Sequence, residues 1–257
     1  APSFSRREQL LRVGLKPGQS GFFSRAIVNR LWHRFMGYGL VMPLDQMHGA
    51  NPPSHPELLE WLARDFAGND YDLRRTIRGL MLSDAYARDS QWPEGERPSP
   101  VYFAVARPRP LTPNQYGSAL VFAASDPEQL ANPKTPEDLV KRLADLENRG
   151  ENLAKHFDRP DDTFQVSVDE ALYFSNSDQV QNDLLGEGGK LLGRVLKTEG
   201  LAKRLEVAFL NTLSREPSPE ETETLNQYLA ARNEDEKGAW QQVLWALMTS
   251  SEMRFNR

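Results

Sequence analysis

At 257 residues, 39% hydrophobic and 26% charged, the chain is long enough to bury a core and too apolar for wholesale disorder, while its short, charge-interrupted apolar runs exclude a bilayer-spanning helix of about 20 residues. It contains no cysteine, which excludes disulfides, thiolate nucleophiles and zinc–sulfur sites. The net charge of −5 divides into +4 for residues 1–110 (15 basic, 11 acidic) and −9 for residues 111–257 (16 basic, 25 acidic), and an excess of +4 is far below the basic patch of a nucleic-acid binder.

The chain opens Ala1-Pro2-Ser3-Phe4-Ser5 with neither an initiator Met nor an apolar signal segment, so an excised or processed piece of a larger protein is expected. Ser5-Arg6-Arg7-Glu8 reads as a capping box that starts a short amphipathic helix through Val13. Phe23, Ile27, Leu31 and Phe35 then step by four. This spacing predicts a helix from about Phe22 to Met36 with one apolar ridge, ended by Gly37 and Gly39. Ser54-His55-Pro56-Glu57 reads as a second capping box with proline in the first turn. Leu58, Leu59, Leu62 and Phe66 form the buried face of the helix that follows, and Trp61 beside them reads as core. Asp72 caps the next helix, whose Leu73, Ile77, Leu80 and Met81 are expected to point inward.

Between Trp92 and Pro113 six prolines (93, 98, 100, 108, 110, 113) forbid a continuous helix. The apolar run Val101-Tyr102-Phe103-Ala104-Val105 predicts that this extended connection packs on the body of the protein. Helix starts recur at Thr112-Pro113, Thr135-Pro136, Ser167-Val168 and Ser218-Pro219, with breaks at Gly186–Gly189 and Gly200, and a final helix carries Trp240, Val243, Leu244, Leu247 and Met248. Asn148 to Asp162 reads as a polar loop. The fold class expected is all-α, an irregular multi-helix bundle of roughly ten helices. It is read as a single helical domain over 1–257, with a front half 1–91 and a rear half 112–257 joined by a packed proline-rich connector, 92–111.

Three of the four histidines, His33, His48 and His55, fall in one region with Asn29, Asp45, Asn51 and Glu57 around them. Histidine is the usual neutral-pH base and a frequent metal ligand. The irregular backbone expected from Gly37 to Pro56 could bring His48 and His55 near His33. No HExxH, HxH or helical i, i+4 His pair is present, so no metal site is assigned. His55, Glu57 and Asp65 are the candidate catalytic groups, and Asn29, Arg30, His33, Asn51, His55 and Trp61 the candidate binding groups. Arg30, His33 and Arg34 form a stripe at i, i+3, i+4 spacing that suits a solvated face. Asp161-Asp162 could bind a cation or flank a glycosidic bond, and a solvated loop is the simpler account. Of the 15 basic residues in 1–110, 14 are Arg, whose planar fork suits carboxylate or phosphate. Pairing with the acidic rear half is the simpler reading there. The nucleophile elbow, P-loop, dinucleotide fingerprint, EF-hand loop and CxxCH haem site are all missing, so no cofactor is expected.

The runs Arg25-Ala26-Ile27-Val28-Asn29-Arg30-Leu31-Trp32, Gly37-Tyr38-Gly39-Leu40-Val41 and Asn51-Pro52-Pro53-Ser54-His55-Pro56-Glu57-Leu58-Leu59-Glu60-Trp61-Leu62-Ala63 resemble the planctomycete-specific carboxy-terminal domain of unknown function, domain-of-unknown-function family 1553. Tyr71-Asp72-Leu73-Arg74-Arg75, Phe157-Asp158-Arg159-Pro160-Asp161, Glu170-Ala171-Leu172-Tyr173, Leu213-Ser214-Arg215-Glu216 and Leu244-Trp245-Ala246-Leu247 continue the likeness over nearly the whole chain. Two departures stand out. Arg107-Pro108-Arg109-Pro110-Leu111 replaces the family's central acidic-residue-containing helix, and Asp162-Thr163-Phe164 replaces a Cys- and Arg-bearing segment.

The resemblance implies a domain that shares its chain with a second such domain and a planctomycete-type cytochrome c module, which would carry the haem. It implies export to the periplasm or cell surface. It supplies no activity. The leading expectation is a noncatalytic helical scaffold or interaction domain whose partners are companion domains of its own chain or another protein, without nucleic acid. The alternative is a polysaccharide-binding or hydrolytic domain using a cleft near Asn51–Glu57.

Overall fold

A computed structural model describes residues 5–14, 21–92, 95–129, 131, 133–158 and 166–256. Among these the protein is all-α: twelve α-helices, against two strands of two residues each, Arg109–Pro110 and Phe255–Asn256. The chain divides into two compact units, Ala1–Arg109 with Arg257, and Pro110–Asn256. The boundary falls inside the proline-rich passage.

The front unit contains α1 (Arg6–Gly14), α2 (Phe22–Met36), α3 (Pro56–Gly68) and α4 (Leu73–Met81). Gly37, at φ +75°, ends α2 in the left-handed conformation that the sequence anticipates. The buried stripe of α2 is not the Phe23–Ile27–Leu31–Phe35 ridge but its neighbour, Ser24, Val28, Asn29, Trp32 and Met36, while Phe23 is exposed. On α3 the buried face is Leu59, Leu62, Ala63 and Phe66, and α2 packs against it. Arg25 bridges to Glu60 at 2.6 Å and, together with Arg64, holds that carboxyl below its usual range. Asp72 caps α4 as expected, accepting the Arg75 N–H at 3.0 Å. Only Thr76 and Leu80 of α4 are buried; Leu73 and Met81 are exposed, contrary to expectation.

The rear unit contains α5 (Pro113–Ala124), α6 (Pro136–Ala154), α7 (Val168–Asn176), α8 (Leu191–Lys197), α9 (Leu201–Leu213), α10 (Pro219–Ala230), α11 (Glu236–Met248) and a last short helix, α12 (Ser251–Arg254). Thr112, Thr135, Ser167 and Ser218 each accept the N–H three residues on, as predicted. The polar tract from Asn148 does not begin a loop: α6 continues to Ala154, because Gly150, Leu153 and Ala154 keep one face buried. Leu120, Leu191, Leu192, Leu205, Phe209, Trp240 and Leu244 fill the centre of the core. Here α5 and α6 touch backbone to backbone. A Cβ on Gly117 would run into the Gly150 carbonyl oxygen, and one on Gly150 would lie 2.6 Å from Ser118 Cα.

Two ion-pair systems tie distant segments of the rear unit together. Arg215 reaches Glu221 at 2.7 Å and Glu252 at 2.8 Å. The Arg215 guanidinium, aided by the Ser218 N–H, pulls the Glu221 carboxyl from 4.5 down to about 2. Deep in the unit, Arg254 meets Glu170 at 3.0 Å with both side chains almost wholly buried, and its guanidinium stacks 4.0 Å over the Tyr116 ring. Burial pushes Glu170 upward, which the facing Arg254 partly offsets.

Gly117→Ala is expected to cost about 2 kcal/mol or more through forced separation of α5 and α6, whereas Gly68→Ala, with nothing near its Cβ, should be neutral or stabilise by up to about 1 kcal/mol. Urea unfolding of both variants checks this. The Glu221 carboxyl titrates lower when folded than when unfolded, so its contribution is fully present above about pH 4.5 and lost as pH falls toward 2. A Glu221→Gln variant should therefore show a flatter loss of stability across that acidic window in pH-dependent thermal melts.

Candidate functional site

The histidine-bearing loop, residues 37–55, is irregular backbone whose polar groups need partners from elsewhere. Asn29, fully buried on α2, supplies two: its Nδ2 donates to the Val41 carbonyl and its Oδ1 accepts the Val41 N–H, each at 3.0 Å. Asn51 donates Nδ2 to the carbonyls of Met42 (3.1 Å) and Gln46 (2.8 Å). Ser54 brings its N–H (2.7 Å) and its hydroxyl (3.2 Å) to the Leu40 carbonyl. A cis peptide joins Met42 and Pro43.

The capping box predicted at Ser54–Glu57 is not made: α3 begins at Pro56, one residue too late for Ser54 to be its N-cap. The N-cap position falls to His55, which makes no side-chain cap bond. Its Nδ1 lies 3.1 Å from Ser54 Oγ, and its ring tilts against Phe103 at a 5.6 Å centroid distance. Glu57 is exposed in the first turn of α3, where a negative charge suits the helix dipole. Trp61 is not core but 63% exposed: it lies about 100° around the helix from Leu62 and about 200° from Leu59, off the buried stripe. Asp65 accepts from the Arg75 guanidinium and from Asn69 Nδ2 (3.3 Å). Arg30 is exposed on α2, and His33 is half-buried in the last turn, its carbonyl taking the Gly37 N–H at 2.8 Å. The structure thus gathers Asn29, Asn51 and His55 around one loop and commits Asp65 to a bridge between α3 and α4. His48 is exposed in a turn that receives the Asn51 N–H. Asp161 and Asp162 lie outside the described residues. Among the described residues no group of three or more His, Asp or Glu is placed to hold a metal, and no helix is long and apolar enough to cross a membrane.

A concave feature that the sequence did not reveal lies at the C-terminal end of α2. It is a cleft of about 90 Å³ walled by Phe35, Met36, Tyr86, Phe103 and Val105, with Arg88, Arg107 and Arg109 also lining it. Tyr86 packs edge-on to Phe35 at 6.2 Å, and Phe103 edge-on to Trp32 at 5.2 Å. The stems of two arginines rest on Gly37, where a Cβ would lie 3.0 Å from Arg107 Cβ and 3.3 Å from Arg109 Cγ. The Arg107 guanidinium sits 5.6 Å above the Tyr38 ring. The proline-rich passage is fastened largely by guanidinium groups. Arg88 donates to the Ala104 carbonyl at 3.2 Å, Arg97 to those of Ser90 (2.8 Å) and Ala106 (2.9 Å), and Arg109 to that of Arg34. The one sequence signal for the cleft was the juxtaposition of the apolar run 101–105 with Arg107-Pro108-Arg109.

Fold and site together define an all-α multi-helix domain whose front loop is held by the Asn29 and Asn51 amides and whose cleft at the end of α2 is lined by aromatic side chains and arginines. The chain belongs to the family described as PSD1, a protein of unknown function (DUF1553), whose profile matches residues 6–229. No curated protein and no solved structure matches it.

Replacing Asn29 by Leu keeps the volume of the side chain but strands the Val41 N–H and carbonyl in the interior, at a cost of about 2–4 kcal/mol. Asn51→Ala, at a half-buried position, should cost about 1 kcal/mol. Denaturant titration, with hydrogen exchange of the Val41 amide as the local readout, checks both.

Proposed function

We propose that this chain is a noncatalytic helical interaction domain of a larger exported protein, docking companion modules of its own polypeptide or another protein. The observation that carries this reading is how Asn29, Asn51 and Asp65 are employed. Asn29 spends both ends of its amide on Val41, Asn51 its NH₂ on two loop carbonyls, and Asp65 its carboxylate on Arg75. A general acid or base needs a hydrogen-bonding edge turned toward substrate. Strongly shifted ionisation, often a mark of chemistry, falls instead on Tyr116, pushed up by burial in the rear core, and on Glu221 and Arg215 within an ion-pair network that braces helices. The exported setting rests on the family resemblance alone. Of the polysaccharide reading, the exposed Trp61 remains as a platform, while Asp65, one turn along α3, is already engaged by Arg75.

Incubation with a panel of soluble polysaccharides is expected to release no reducing ends, from the parent chain or from the His55→Ala and Glu57→Gln variants. Calorimetric titration with separately produced flanking segments of the same polypeptide is expected to give saturable binding. Sugar release that His55→Ala abolishes would overturn the proposal.

A further inference from the structure

We infer that the arginine-lined cleft at the end of α2 is a docking site for an acidic peptide segment of a partner protein, with one apolar side chain entering the cleft and its flanking carboxylates meeting Arg88, Arg107 and Arg109. This names the partner chemistry of the interaction-domain reading and rests on it.

Size comes first. A water needs about 10–15 Å³ of such space, so a cleft of about 90 Å³ has room for roughly six to nine waters. That accommodates one side chain, not a cofactor or an oligosaccharide. Phe35, Met36, Tyr86, Phe103 and Val105 give an apolar group contacts to enter against, beside the arginines of the same lining.

Charge comes second. Four arginines of the front unit are matched with acids: Arg12 with Glu8, Arg25 and Arg64 with Glu60, and Arg75 with Asp65. Three arginines line the cleft, and none of them makes an ion pair among the described residues. The acid next in sequence, Asp89, turns its carboxylate to the Gln91 N–H at 3.0 Å. Each guanidinium is held in place by another group: Arg88 by the Ala104 carbonyl, Arg109 by the Arg34 carbonyl and Arg107 by the Tyr38 ring. A guanidinium has five donors, and the contacts that fix Arg88 and Arg109 each occupy one nitrogen. Fixed cations with donors to spare lose little entropy on meeting a carboxylate.

A nucleic acid would also answer to arginine beside aromatic rings. Base stacking needs open ring faces, and here Tyr86 and Phe35 close on each other edge-to-face, as Phe103 does on Trp32. The geometry favours the peptide.

The test is fluorescence anisotropy on the 257-residue chain with three labelled probes. These are a peptide with Asp and Glu flanking a central Leu, the same peptide with Asn and Gln in their place, and a single-stranded oligonucleotide. The acidic peptide is expected to bind saturably and to weaken with salt. Arg107→Glu should weaken it about tenfold or more, and Arg88→Ala combined with Arg107→Ala at least as much, since each loss removes a charge-assisted bond. Both variants alter exposed side chains, and Arg74→Ala on α4, outside the cleft, should bind like the parent. The inference is overturned if the acidic peptide fails to bind, if the amide peptide binds equally well, if the cleft variants keep the parent affinity, or if the oligonucleotide binds more tightly. Any of these leaves the interaction-domain reading standing on its flanking-segment titration. Sugar hydrolysis removes that reading whatever the peptides do.

Discussion

Asn29 holds Val41 by both its N–H and its carbonyl, at 3.0 Å each, from a position with no solvent exposure. The non-helical part of the front unit is built outward from that pair. With Val41 fixed, the adjacent Leu40 carbonyl is presented to Ser54 and the Met42 carbonyl to Asn51. Ser54 in turn delivers His55 to the start of α3 with its ring on Phe103. One carboxamide mimics the edge of a β-ladder for a single residue, and a loop with no secondary structure of its own becomes part of the core.

The rear unit meets the same requirement by packing. Two glycines bring α5 and α6 into backbone contact, and a charged pair, Glu170–Arg254, is buried with an aromatic ring beneath the guanidinium. Removing either partner of such a pair leaves an uncompensated interior charge, typically costing about 3–5 kcal/mol. The same pair links α7 to α12, two short helices that also place Phe174 and Met253 in the core.

Sequence was most legible where the interaction is local. The caps at Asp72, Thr112, Thr135, Ser167 and Ser218 depend only on a side chain and an N–H three residues away, and each forms. Ser54 carried the same signature and failed, because α3 begins at Pro56 and leaves Ser54 one residue ahead of the N-cap, its N–H and hydroxyl turned to the Leu40 carbonyl. On α2 two neighbouring stripes both step by four, and the chain buries the one bearing Trp32 and Asn29. A choice of this kind is made by the partner surface and is not encoded in periodicity. Trp61 was misplaced because hydrophobicity alone does not distinguish an angular position on α3. The cleft was illegible for a related reason: its lining runs from Phe35 to Arg109, joined only by the tertiary path of the proline-rich passage.

That passage also bears on why the front unit uses arginine almost to the exclusion of lysine. Each proline removes an N–H from the backbone while leaving a carbonyl behind. A proline-dense segment therefore runs a donor deficit that no rearrangement of its own main chain can cure. Guanidinium groups, each with five N–H bonds in a rigid plane, import donors from side chains, and Arg88 and Arg97 do so at the Ala104 and Ala106 carbonyls of the passage, while Arg109 reaches from it to the Arg34 carbonyl of α2. Lysine brings fewer donors on a point charge without that planar geometry. Arginine enrichment beside a proline-rich stretch can thus serve main-chain satisfaction within a folded domain, and a guanidinium fixed in that way still has donors left for a carboxylate.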